Sequence, residues 1–213
     1  LALSAIARDG LASTAGSRTK ADAALNQLRD IAAKDPAGTY DLMVVNALMR
    51  RGDLTGAMAA IDKLAPKMTG SPIPDSLRGR VQLARKDTAG AKAAFEAALK
   101  ADAGYLPAAL GLVGLDVQAG KPDDGVKRLE AFVAAQPRVP QARLALAELM
   151  SQTRAPADRI TEVLAAGVRA EPTDIGLRLA LVDNHLRTGN VDRSFVVAFA
   201  LAAMAATQLG VLG

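Results

Sequence analysis

The chain has 213 residues, half of them apolar but only 3% aromatic, with 26 basic against 22 acidic side chains, a formal charge of +4 and no cysteine. That length holds one or two compact domains or one extended array, and without cysteine there are no disulfides, thiolate metal sites or cysteine nucleophile. The two signs of charge are interspersed and no basic face with interleaved aromatics occurs, so nucleic acid is not an expected partner, while the heavy use of alanine favours closely packed helices.

Residues 1–17 are small and apolar, and Gly10 and Gly16 weaken the helix they predict. The chain opens at Leu1 with no methionine and no basic region before an apolar run, so no signal peptide is visible and a fragment of a longer protein is expected. Lys20 to Lys34 reads as an amphipathic helix with Ala21, Leu25, Leu28 and Ala32 on one stripe, ended by Asp35-Pro36. Asp41 to Arg51 is the next helix. Gly52-Asp53 is a turn with a capping residue, and Leu54 to Leu64 carries Leu54, Ala57, Met58, Ile61 and Leu64 on one face before Pro66. After the loop at 69–74, with Ser71 or Asp75 available as N-cap, come a helix through Leu77 and Leu83, a polar turn, and a helix from Ala91 to Leu99. In that helix Ala91, Phe95 and Ala98 form a packing face, and Lys92, Glu96 and Lys100 a solvated one.

The same plan returns 34 residues later, where Gly120, Gly125 and Leu129 take the places of Lys86, Ala91 and Phe95. Further turns are expected at Ala155 and Gly189, so five turns at Gly52, Lys86, Gly120, Ala155 and Gly189 stand 34, 34, 35 and 34 residues apart. A fixed period of this length built from helix pairs is the mark of an all-α solenoid. The expected units are about 5–37, 38–71, 72–105, 106–140, 141–174 and 175 onward, an array over 1–193 followed by 194–213.

Gly52/Ala57/Ile61, Lys86/Ala91/Phe95/Ala98, Gly120/Gly125/Leu129/Pro137 and Leu164/Gly167/Pro172 resemble the glycine, small, bulky, small and proline places of tetratricopeptide (TPR) repeats. The resemblance covers roughly residues 20–193 and implies a right-handed superhelix of antiparallel helix pairs. The early Gly/Ala place of the first helix is met by Gly79 but held by Val45, Val113, Glu148 and Val182, so wider or shifted helix crossings are expected. More narrowly, the segments Arg51–Ala57, Arg85–Ala91 and Leu179–Leu186 resemble the bacterial TPR lipoproteins associated with the PEP-CTERM/exosortase sorting system. That likeness implies an exported protein, periplasmic or outer-membrane-associated, linked to surface-protein sorting or exopolysaccharide.

The TPR resemblance further implies a concave surface lined by the first helix of each unit. Its groove places fall on Asn46, Met49 and Arg50, on Arg80 and Leu83, on Val117 and Gln118, on Leu149 and Gln152, and on Asp183, Leu186 and Arg187. Such a mixture of apolar, amide and basic groups suits an extended peptide. The asparagine and lysine set with which some relatives hold a C-terminal carboxylate is not reproduced. His185, the one histidine, falls where a ring packs between helices, and no catalytic triad, zinc signature, P-loop or dinucleotide motif occurs, so neither enzyme activity nor a cofactor is expected. From Ser194 to Gly213 there is no charge. Alanines and Thr207, Gln208 and Gly210 make this a weak membrane span, so a membrane-tethered spacer stands second to a scaffold for a protein or peptide.

Overall fold

A computed structural model describes residues 15–189, and among them all regular structure is helical. Ten α-helices follow one another: α1 (Ala15–Ala32), α2 (Thr39–Arg50), α3 (Leu54–Leu64), α4 (Ile73–Ala84), α5 (Thr88–Ala101), α6 (Leu106–Gln118), α7 (Pro122–Ala135), α8 (Pro140–Gln152), α9 (Ala157–Ala170) and α10 (Ile175–Arg187). A short 3₁₀ turn, Ala65–Met68, follows α3. The helix expected over residues 1–17 falls almost wholly outside the described residues, and the uncharged stretch 194–213 lies outside them.

Local chemistry accounts for the punctuation. Asp53 and Asp87 cap α3 and α5, each side chain accepting a 2.8 Å hydrogen bond from the backbone N–H of Gly56 or Gly90. A Cβ on either glycine would stand within 2.3 Å of that carboxylate, which explains the repeated Asp-x-x-Gly. Asp174 caps α10 in the same way through Leu177. The α4 terminus departs from expectation. Its cap position is Pro72, Ser71 accepts only from Ile73 at 3.3 Å, and Asp75 lies inside the helix, paired with Arg78.

The turns that follow α2, α4, α6, α8 and α10 share one left-handed residue: Gly52, Lys86, Gly120, Arg154 and Gly189, with φ between 57° and 74°. The fourth turn is thus centred on Arg154, not on Ala155. The strict 34-residue spacing continues through it, and the extra residue enters just afterwards, where Ala155-Pro156 precedes α9. Proline disfavours a helical residue before it, so the chain extends by one residue before turning into α9.

The described residues divide into two compact units, with the boundary after Gly111, inside α6. In the first, α2 packs on α1 and α3, and α4 packs on α3 and α5. Its core is Leu25, Leu28, Val45, Leu48, Ile61, Leu64 and Val81, with Phe95 buried above Gly79. In the second, α8 packs on α7, α9 and α10 around Leu146, Met150, Leu164 and Leu177. Gly125 and Gly167 sit where helices approach closely, and a Cβ on Gly167 would come within 2.7 Å of Arg143 Cδ.

Candidate functional site

Measured back from each left-handed turn residue, the expected groove places are the sixth, third and second residues before it. With the fourth turn on Arg154, α8 contributes Glu148, Ser151 and Gln152. Leu149 leaves the face: it is buried, and its methyl Cδ2 would meet a Cβ on Gly125 at 3.2 Å. The early small-residue place likewise moves from Glu148 to Ala147, which is buried, so this crossing keeps a small side chain.

In the second unit, α8 and α10 are successive first helices and enclose a cleft of about 320 Å³. Leu144, Ala147, Glu148 and Ser151 line it from α8, Ala180, Asp183, Asn184 and Arg187 from α10, and Ile160 and Leu164 of α9 form its floor. Of the expected groove residues, Asp183 and Arg187 meet here, and Gln152 adjoins through a 2.8 Å hydrogen bond to Glu148. Leu186 is on the same helix and exposed, outside the cleft lining.

One polar network fixes the cleft wall. Asn184, only 2% exposed, donates to Thr161 Oγ1 on α9 at 2.7 Å. Its carbonyl oxygen accepts from Arg187 at 3.3 Å, while Arg187 also reaches Ser151 Oγ at 3.1 Å on α8 and lies 3.5 Å from the Asp183 carboxylate. Arg187 thus bridges two first helices with its planar set of donors. Nothing in the local sequence marks Asn184 or Ser151 as members of this set; only the turn register, read as Arg154, could have found Ser151.

In the first unit the expected residues stand on α2 and α4. Asn46, Arg50 and Arg80 are exposed and Met49 and Leu83 half-buried, and Asn46 donates to the Leu42 carbonyl of its own helix. A cleft of about 470 Å³ in this unit is elsewhere, lined by Asp22, Asn26 and Arg29 of α1 and by Arg51 and Asp53 among others, and contains none of them. On α6, Val117 and Gln118 are exposed, as is Leu110 one heptad before Val117. Leu179 and Leu186 repeat that exposed apolar pair on α10.

His185 is buried at 5% exposure on α10. Arg143 is buried too, and donates to the Pro137 carbonyl at 3.0 Å. Arg178, its counterpart on α10, donates to the Pro172 carbonyl at 2.8 Å. These matching bonds tie α8 and α10 to the loops before them. Burial, with Arg169 nearby, pulls the Arg143 guanidinium below its ordinary pKa.

Family models described as tetratricopeptide repeat match residues 10–72 and 82–149, together more than half of the chain. The chain is a TPR protein. Solved structures agree on the fold. A thermophilic TPR protein of Thermus thermophilus is 18% identical, with a TM-score of 0.54 over 86% of this chain and 99% of the other. MamA of Desulfovibrio magneticus RS-1 is 17% identical, with a TM-score of 0.52 over 86% and 96%. The C-terminal part of a TPR repeat-containing protein of Cytophaga hutchinsonii is 10% identical, with a TM-score of 0.58 over 88% and 76%. At these identities the likeness is one of fold. No curated protein matches the chain.

Proposed function

We propose that this TPR protein is a non-enzymatic interaction scaffold that takes a peptide or protein segment on the face of its first helices. The observation that carries this reading is the cleft between α8 and α10. There, side chains at matching places on successive first helices converge on one concave space with an apolar floor and polar walls. Peptide recognition asks for such a surface, with shallow apolar contacts for side chains and fixed donors and acceptors for the backbone. The test is recovery of partners from a native lysate by the wild-type chain and by Arg50→Glu, Arg80→Glu and Ala180→Trp, which fills the cleft, with Lys92→Glu on the solvated side of α5 as control. Loss in the first three but not in the control is expected; equal recovery throughout would remove the face from consideration.

The narrower setting, an exported bacterial protein of surface-protein sorting or exopolysaccharide systems, rests on the Arg51–Ala57, Arg85–Ala91 and Leu179–Leu186 segments. A sorting protease gene beside the full reading frame is its expected signature. A second reading, a membrane-tethered spacer, draws on the uncharged residues 194–213. Among the described residues no helix is long and apolar enough to cross a membrane. Retention of the full chain in the membrane pellet after carbonate extraction is what that reading requires.

A further inference from the structure

The inference here rests on the proposed role of the first-helix face and concerns the chemistry of its occupant. We propose that the cleft between α8 and α10 binds an extended peptide through a lysine or arginine side chain of that peptide, held between Glu148 and Asp183. The small apolar flanks of the peptide lie over Leu144, Ala147 and Ala180.

Glu148 and Asp183 occupy the same place on successive first helices, and both line the cleft. The one cation among the lining residues, Arg187, is already committed. Its guanidinium is folded onto the wall by Ser151 and by Asn184, itself anchored through Thr161, and its charge is offset by Asp183 at 3.5 Å. Glu148 accepts a hydrogen bond from the neutral amide of Gln152 and, among the described residues, has no cationic partner. With two carboxylates against one guanidinium, the cleft carries a formal charge of −1. Ile160 and Leu164 give the cleft an apolar floor, while the carboxylates at its rim are exposed, so their attraction has the modest size of a surface charge pair.

The sign of the field selects the ligand. A peptide C-terminus or an acidic side chain would meet Glu148 uncompensated, whereas a long cationic side chain meets the net formal charge of −1 that Glu148, Asp183 and Arg187 leave in the cleft. The short side chains of Ala147, Ser151 and Ala180 leave room for its aliphatic stem to lie against apolar surface while its head reaches the carboxylates. The groove places of the first unit carry the opposite character, with Arg50 and Arg80 exposed, so preference for a basic residue is assigned to this cleft alone.

The probe is a phage-displayed library of random linear nine-residue peptides, selected on the full chain. Wild type is expected to enrich peptides with a lysine or arginine beside small apolar residues, and Glu148→Lys to shift the selection to aspartate or glutamate. Resynthesised and measured by fluorescence anisotropy, the best basic peptide should bind Glu148→Gln about fivefold more weakly, the size of effect an exposed charge pair gives. Circular dichroism serves as the fold check for this exposed site. Enrichment of peptides without basic residues, with binding lost in Ala180→Trp, would overturn the cationic assignment and leave the face standing. Equal binding of the basic peptide by Glu148→Gln/Asp183→Asn would overturn the location. Failure to enrich any peptide would overturn the face as a peptide site, and this inference with it.

Discussion

The ring of Phe95 lies directly on the backbone of Gly79: a Cβ on that glycine would stand 2.6 Å from ring carbons Cδ1 and Cε1. The tip of the same ring, Cε2 and Cζ, is equally close to Gly111, so a side chain with 1% exposure is clasped between two glycines of successive first helices. The matching places elsewhere pair Ile61 with Val45 and Leu129 with Val113, all buried, so the largest bulky residue accompanies the smallest partner. Gly79→Ala should therefore cost about 1–3 kcal/mol, the usual penalty for overpacking. Phe95→Ala should cost about 3–5 kcal/mol. Urea midpoints at unchanged slope measure both, and Phe95→Leu should recover part of the Gly79→Ala loss, giving a non-additive cycle.

Lys86 and Arg154 adopt left-handed backbone, φ 63° and 57°, where three equivalent turns use glycine. Left-handed backbone costs a residue with a Cβ about 1–2 kcal/mol, and the freer unfolded glycine takes back part of the gain. Lys86→Gly and Arg154→Gly are each expected to raise the thermal midpoint, while Gly120→Ala lowers it.

Lys67 ties three segments together, donating to the Asp41 carboxylate at 2.6 Å and to the Ala32 carbonyl at 2.8 Å. Asp41 is 5% exposed, so Lys67→Met strands a buried carboxylate at a cost of about 3 kcal/mol or more. Replacing both partners by apolar residues, Asp41→Leu with Lys67→Met, should lose much less in the same chemical unfolding assay.

Asp35 accepts backbone hydrogen bonds from Tyr40 at 3.0 Å and Ala37 at 2.9 Å, and that from Tyr40 above all holds its carboxyl below the ordinary range. A depressed folded pKa contributes stability above the unfolded value of about 3.9, which is lost as pH falls through the lower folded value. Asp35→Asn should thus be less stable than wild type near neutral pH, and the gap should narrow in strong acid. Unfolding midpoints across that range check the sign.

Much of this was legible in the residues. The 34-residue return of Gly120, Gly125 and Leu129, the stop at Asp35-Pro36 and the cap at Asp53 each follow from periodicity or backbone chemistry that needs no distant neighbour. The interaction face was less so, because a helix rotates each residue about 100° from the last. A fourth turn on Ala155 places Leu149 on the face and Glu148 in the small packing place; with Arg154, Glu148 takes the face and Ala147 the packing place. Which residue takes the left-handed conformation depends on how the following helix docks, and the residues of that turn do not show it by themselves.

Hydrophobic spacing and capping act over one or two turns, so the all-helical repeat and its period are written in the residues themselves. Which side chains converge is a matter of how the helices dock. Asn184 anchored on Thr161 and Arg187 bridging to Ser151 join residues more than twenty positions apart in the chain. Their meeting depends on the angle and depth at which α8, α9 and α10 pack, set by side-chain volumes such as those of Gly167 and Leu177.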